Sequence, residues 1–107
     1  MEKVVRLGSI NEFLDGQFRQ FELSLLDVLV GRIGSQWYAW NAQCPHGAFN
    51  IGRGLTKSGK AVCPGHGLTF DLINGNCIEE KYLRLTAYKI ETRGKDVFID
   101  LSGDMSL

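Results

Sequence analysis

Both prolines, both histidines and two of the three cysteines of this chain lie in two short clusters. The clusters are Cys44-Pro45-His46-Gly47 and Cys63-Pro64-Gly65-His66-Gly67, which give the pattern C-x-H, sixteen intervening residues, then C-x-x-H. Proline fixes φ and cannot donate a ladder hydrogen bond, whereas glycine permits positive φ and close backbone approach. The clusters therefore predict two tight loops, side by side, with a site held between them.

The side chains on these loops form a set of metal ligands. Two thiols (Cys44, Cys63) and two imidazoles (His46, His66) suit zinc or iron–sulfur chemistry, whereas Mg²⁺ and Ca²⁺ prefer oxygen ligands. A structural zinc site in a binding domain is one interpretation, although zinc fingers usually place two cysteines before two histidines rather than alternating them. The residues by themselves predict a metal centre and leave both kinds of metal open.

The remainder of the chain favours strands. Lys3–Leu7, Leu25–Ile33 (with Gly31 as a candidate bulge), Arg84–Thr92 and Asp96–Leu101 are rich in β-branched and apolar residues. Gly34-Ser35 is typical of a two-residue hairpin turn. From about residue 42 to residue 82, glycines recur every few residues and apolar runs are short. We therefore predict a mainly β fold.

The predicted architecture is one domain of residues 1–107, an antiparallel β-sandwich or barrel with an inserted two-loop subdomain. The base β-domain covers about 1–41 and 84–107, and the metal-binding subdomain covers about 42–83. Helix is expected to be minor. The remaining cysteine, Cys77, has no motif partner and is expected to be a small buried thiol.

Charge and hydropathy exclude two classes of partner. Twelve Lys and Arg balance twelve Asp and Glu, so the basic surplus of a nucleic-acid binder is absent. No run approaches the length of a membrane span, and the N-terminus has no apolar stretch of signal-peptide length. We expect a cytoplasmic monomer without a nucleic-acid or membrane partner.

The ligand pattern, its spacing and the glycine after each histidine resemble the Rieske [2Fe–2S] family, most closely its small soluble ferredoxins from ring-hydroxylating dioxygenase-like systems. The resemblance is strong over Ala42–Tyr82 and limited to β character in the flanking strands. It implies one [2Fe–2S] cluster with Cys44 and Cys63 on one iron, and His46 and His66 on the outer iron. Histidine ligation raises the potential above that of all-cysteine clusters.

Departures from the family pattern refine this expectation. Respiratory Rieske proteins carry a disulfide between the loops, but the corresponding positions here are Phe49 and Gly65. Those proteins also place hydroxyl donors toward the cluster sulfur, at positions that Leu68 and Phe70 occupy here. Because these donors would stabilise the reduced cluster, their absence predicts the low end of the Rieske range, about −150 mV.

The resemblance implies an electron carrier rather than an enzyme. Its transient partners would be an NAD(P)H-dependent flavoprotein ferredoxin reductase and a terminal oxygenase. No acid–base pair, nucleophile or nucleotide loop remains once the four ligands are assigned. Two alternatives stay open, the Rieske-like small subunit of a nitrite-reductase-type complex and the zinc-stabilised binding domain.

Overall fold

The computed structural model describes residues 3–24, 26–45, 47, 49–56 and 58–102. Within these ranges the chain forms eight strands and two short 3-10 helices. The strands are β1 (Val4–Ser9), β2 (Phe18–Glu22), β3 (Asp27–Ile33), β4 (Gln36–Asn41), β5 (Lys60–Val62), β6 (Thr69–Asp71), β7 (Lys89–Arg93) and β8 (Asp96–Asp100). The 3-10 helices are Ile10–Glu12 and Ile51–Gly54. No helix in this part of the chain has the length and apolar character that crossing a bilayer requires.

The strands of the described residues pair in three antiparallel sheets. Two sheets have three strands each, in the orders β1-β8-β7 and β2-β3-β4, and the third is the β5-β6 hairpin. The hairpin turns fall at Gly34-Ser35 and Gly94-Lys95, where glycine adopts a positive φ of 61° and 60° respectively. The predicted mainly β antiparallel fold is confirmed.

Strand β3 lies between two hydrophobic cores. The distal core contains some of the buried residues of the two three-stranded sheets together with one residue that precedes β2: Phe13, Val28, Val30, Ala39, Val97 and Ile99. The loop-side core contains the remaining buried apolar residues: Leu29, Trp40, Ala42, Cys44, Ile51, Ala61, Cys63, Phe70, Leu72, Cys77 and Leu85. Because successive side chains of a strand point to opposite faces, β3 needs apolar residues at consecutive positions, which explains its unbroken Val-Leu-Val run.

Strand β4 supplies both cores in the same way. Ala39 faces the distal core, and Trp40 reaches into the loop-side core. The indole Nε1 of Trp40 donates a buried hydrogen bond of 2.8 Å to the carbonyl of Leu72, beyond β6. This contact ties the β2-β3-β4 sheet to the glycine-rich middle of the chain.

The predicted bulge at Gly31 is wrong. Gly31 pairs in regular register with Phe18 on one side and Tyr38 on the other. A Cβ at Gly31 would lie 2.5 Å from the Gln17 carbonyl oxygen and 2.7 Å from the Phe18 ring, so glycine is required because the backbone and an aromatic ring both approach closely here. The irregularity in register occurs in β1, between Arg6 and Gly8.

The strand predicted at Arg84–Thr92 begins later than expected. Ordered pairing in β7 starts at Lys89, because the residue before it bonds to a different sheet. The Tyr88 amide donates a 3.0 Å hydrogen bond to the Ala39 carbonyl, so this segment links the two three-stranded sheets instead of extending one of them.

Candidate metal centre

Two loops of the same construction carry the candidate ligands. The bridge between Gln43 and Asn50 closes a loop of residues 44–49, and the last pair of the β5-β6 hairpin, Val62 with Thr69, closes a loop of residues 63–68. Each loop therefore begins with a cysteine and spans six residues. We refer to them as the first loop (44–49) and the second loop (63–68).

The backbone hydrogen bonds of the two loops repeat one another. The Cys44 amide donates to the Phe49 carbonyl and the Cys63 amide donates to the Leu68 carbonyl, both at 2.8 Å. Each pair is five residues apart, so the same closing hydrogen bond is found in both loops. The backbone of the cysteine at the base of each loop is thus held by a hydrogen bond within its own loop.

The three glycines of the two loops are required for different reasons. Of Gly47, Gly65 and Gly67, only Gly67 adopts a positive φ, of 68°, and its amide donates a 2.9 Å hydrogen bond to the Cys63 carbonyl. The Gly47 amide donates a 3.1 Å bond to the Cys44 carbonyl. Positive φ explains Gly67 alone, whereas close approach of the other loop explains Gly47 and Gly65.

The segments that flank the first loop are anchored to β3 and to β5. The Ala42 amide donates to the Asp27 carbonyl of β3 at 2.9 Å, and the Asn50 side chain donates to the Asp27 carboxylate at 3.1 Å. Just beyond, Gly54 lies so close to the carbonyl of Val62 that an added Cβ would overlap it. The 3-10 helix after the first loop is therefore packed on the strand that leads into the second.

Three of the predicted ligands converge. The ligand atoms of Cys44, Cys63 and His66 all lie within 4.8 Å of one another, and the Cys63 Sγ is 3.6 Å from the His66 Nδ1. Both thiols are fully buried and His66 is exposed. His46 lies outside the described residues, so its place in the set stays a prediction.

This donor set fits an iron–sulfur cluster. Two fully buried thiols in an apolar core are stable as thiolates only beside a compensating cation, and sulfur with imidazole nitrogen is a soft to borderline set. The residues are also compatible with zinc, whose structural sites use the same donors. The geometry is that of a candidate metal centre, and it is compatible with either kind of metal.

The two positions that lack hydroxyl donors hold apolar side chains that pack in the core. Leu68 is half-buried against the loop-side core, and Phe70 is fully buried within it. No disulfide joins any of the three cysteines. Phe49 and Gly65, which occupy the positions of the missing bridge, lie in direct contact across the two loops.

One hydrogen bond that supports the second loop could not be predicted from the sequence. The Thr69 backbone amide donates a 2.7 Å hydrogen bond to the Glu79 carboxylate, and this bond lowers the pKa of Glu79. The same carboxylate lies 3.7 Å from the Sγ of Cys77, which is buried as predicted. The charged carboxylate thereby holds the 77–80 segment against the start of β6. The two bonded residues are ten positions apart, and no sequence motif predicts that they meet.

Comparisons with known proteins identify the family. Residues 3–89 match the model of the Rieske [2Fe-2S] domain. Over 77 residues the chain is 35% identical to the 3-phenylpropionate/cinnamic acid dioxygenase ferredoxin subunit of Escherichia coli K12, which covers 69% of this chain and 72% of that protein. A ferredoxin subunit is an electron-carrier component of its dioxygenase system and is not a catalytic enzyme itself.

Solved structures share the fold. A chain in the complex of reduced oxygenase and oxidized ferredoxin of carbazole 1,9a-dioxygenase superposes with a TM-score of 0.76 at 20% identity, covering 94% of each chain. A chain assigned as the small subunit of an NADH-dependent nitrite reductase from Mycobacterium tuberculosis gives 0.72 at 13% identity, covering 96% of this chain and 98% of that one. With the family model spanning both ligand loops, this chain belongs to the Rieske [2Fe-2S] family, whose domain binds one [2Fe–2S] cluster.

Proposed function

We propose that this chain carries single electrons in a ring-hydroxylating dioxygenase system and that Cys44, His46, Cys63 and His66 hold its cluster. The observation that carries the proposal is the convergence of two thiols and one imidazole within 4.8 Å, on two matched loops. We further infer that residues 42–83 form the cluster-binding subdomain, since both loops and the β5-β6 hairpin lie within them.

The burial of the ligands supports a division of roles between them. Cys44 and Cys63 are fully buried and would hold the inner iron, away from water. His66 is exposed and, with His46, would hold the outer iron at the surface that a partner approaches. The bound cluster supplies a site that takes up and releases one electron. The chain contributes position, exclusion of water from the thiols and an exposed imidazole.

The proposed partners are an NAD(P)H-dependent flavoprotein reductase as donor and a terminal oxygenase as acceptor. The complex of oxygenase with ferredoxin in carbazole 1,9a-dioxygenase supports the second of these, because the same fold is found there. Among the described residues of the two loops, the exposed side chains other than His66 are the uncharged Pro45, Phe49 and Pro64. Such a surface suits the small, short-lived contacts of redox partners. The monomeric state and the cytoplasmic location stay predictions from the sequence.

A second candidate is the small subunit of a nitrite-reductase-type complex. The nitrite reductase small subunit from Mycobacterium tuberculosis favours it by fold alone, with a TM-score of 0.72. The presence of both cysteines and both histidines favours the carrier, since a module used only for docking has no need of four ligands. Stable copurification with one large subunit would favour the second candidate.

The decisive experiment combines metal analysis with electron transfer. We expect the purified protein to contain iron and acid-labile sulfide in equal amounts, and to show a Rieske-type EPR signal after reduction. NADH and a flavoprotein reductase should then reduce it, and a Rieske oxygenase should reoxidise it. A colourless protein that contains zinc in place of iron would overturn the proposal.

The predicted low reduction potential is tested by a substitution at Leu68. In Leu68→Ser, a hydroxyl that donates to the cluster should stabilise the reduced form by about 1–2 kcal/mol beyond the oxidised form. Since 59 mV corresponds to about 1.4 kcal/mol for one electron, the potential should rise by about 40–90 mV. Leu68→Ala is the matched control, because it removes the same bulk without adding a donor. Equal potentials for the two variants, measured by voltammetry, would contradict the assignment.

A further inference from the structure

The Phe49 side chain of the first loop lies directly against Gly65 of the second loop. A Cβ built at Gly65 would overlap three atoms of the Phe49 ring. The φ of Gly65 is not in the positive region, so its backbone conformation is open to other residues. The space above Gly65 is therefore filled by a ring from the opposite loop, and the two residues are complementary in size.

The same ring lies against the imidazole of His66. The two ring centroids are 5.2 Å apart and the planes are nearly perpendicular, at 89°, which is the favoured edge-to-face geometry of aromatic pairs. Gly47 approaches the imidazole as well, since a Cβ there would lie 3.2 Å from the His66 Cε1. His66 belongs to the second loop, yet Phe49 and Gly47, which contact its ring, belong to the first.

Phe49 is connected to the ligands through its backbone too. Its carbonyl accepts the 2.8 Å hydrogen bond from the Cys44 amide that closes the first loop. On the other side of the contact, the His66 Nδ1 is 3.6 Å from the Cys63 Sγ. One residue thus spans from the base of one ligand loop to the imidazole of the other. Phe49 is itself 45% exposed, so its ring lies at the protein surface beside the Gly65–His66 segment.

We propose that Phe49 is a positioning residue of the metal centre, which rests on the proposed role of His66 as a ligand. Its ring sets the orientation of the His66 imidazole and clamps the two loops together. No disulfide joins the cysteines of this chain, so the contact between the loops at this point is non-covalent. Without the ring, the imidazole gains rotational freedom and the two loops lose this packing contact, so water and chelators reach the ligands more readily.

The test compares Phe49→Ala with Phe98→Ala in the cluster-loaded protein. Phe98 is a partly buried phenylalanine of β8, covered by the Arg93 guanidinium at 4.7 Å, and it controls for loss of an aromatic ring elsewhere. Phe49→Ala should shift the EPR g-values and the nitrogen couplings of the reduced cluster. Bleaching by a chelator should be about three- to tenfold faster, the factor that the contact energy of an aromatic pair gives in a rate. Phe98→Ala should leave both readouts at their original values.

A compensating substitution in the second loop distinguishes a positioning role of Phe49 from a general loss of stability. In the double variant Phe49→Ala/Gly65→Leu, the new side chain occupies the space that the ring has left, and the original g-values and bleaching rate should return in large part. Gly65→Leu alone should be harmful, since Phe49 already fills that space. If Phe49→Ala fails to load a cluster, loading of the double variant supports the proposal and failure of both overturns it.

The outcomes distinguish this proposal from the proposed function. An unmodified protein that binds no iron–sulfur cluster overturns the function itself. An unmodified protein with a normal cluster, together with a Phe49→Ala variant whose g-values and bleaching rate match Phe98→Ala, overturns only the role of Phe49. An altered Phe49→Ala that Gly65→Leu does not rescue overturns the clamp between the loops.

Discussion

Cys63→Ser is expected to abolish the iron–sulfur cluster. The Cys63 thiol is fully buried, belongs to the converging ligand group and lies 3.6 Å from the His66 Nδ1. A serine hydroxyl in its place is a harder and far less acidic donor, which a soft metal centre does not accept. Iron content and the reduced-state EPR signal should fall to near zero.

Cys77→Ser is the matched control for this substitution. Cys77 is also buried in the loop-side core, at 4% exposure, but its Sγ neighbours the Glu79 carboxylate at 3.7 Å and lies outside the ligand group. The control should keep its iron, its colour and its g-values. If Cys63→Ser retained the spectra of the unmodified protein, the ligand assignment would be wrong, and the proposed electron-carrying role would lose its basis.

Phe13→Ala is expected to cause the largest loss of stability, about 3–5 kcal/mol, as is usual for truncating a buried phenylalanine. Phe13 is 1% exposed, and its ring packs against Trp37 at a centroid distance of 5.1 Å and against Phe21 at 5.8 Å. A loss of this size is a large share of the about 5–15 kcal/mol that stabilises a small domain. Urea unfolding followed by circular dichroism measures it.

The same variant tests whether the two cores are independent. Phe13 belongs to the distal core, whereas Cys44 and Cys63 belong to the loop-side core on the other face of β3. Phe13→Ala should therefore keep the potential and EPR g-values of the unmodified protein under native conditions. Phe13→Leu, a smaller truncation, provides the same comparison should the alanine variant be too unstable to purify. A shift in potential that accompanies the loss of stability would show that the distal core also shapes the metal centre.

The ligand loops were predictable because their chemistry is local. Each loop places its cysteine and histidine two or three positions apart, and the prolines and glycines between them exclude helix and strand. The strands followed from apolar and β-branched runs, and the mainly β fold was confirmed. These features depend on neighbours in the sequence, so a single chain is enough to read them.

The failures at Gly31 and Arg84–Thr92 have a common cause. Gly31 is predicted to be a bulge, but the close approach of the Gln17 carbonyl and the Phe18 ring requires glycine there. The Arg84–Thr92 run was interpreted as one strand, but its first residues bridge two sheets before β7 begins at Lys89. In both cases the local residue pattern is recognisable, but the structure at that position depends on a contact with residues far away in the sequence.

The sequence by itself predicted a metal centre on two tight loops and determined the β character of the chain. Only the tertiary structure decided that Cys44 and Cys63 belong to one core while Val28 and Val30 belong to another, and that Phe49 of one loop contacts His66 of the other. The physical reason is that donor chemistry and turn geometry depend on residues a few positions apart. Contacts between loops and between sheets depend on how the whole backbone packs, which no local pattern records.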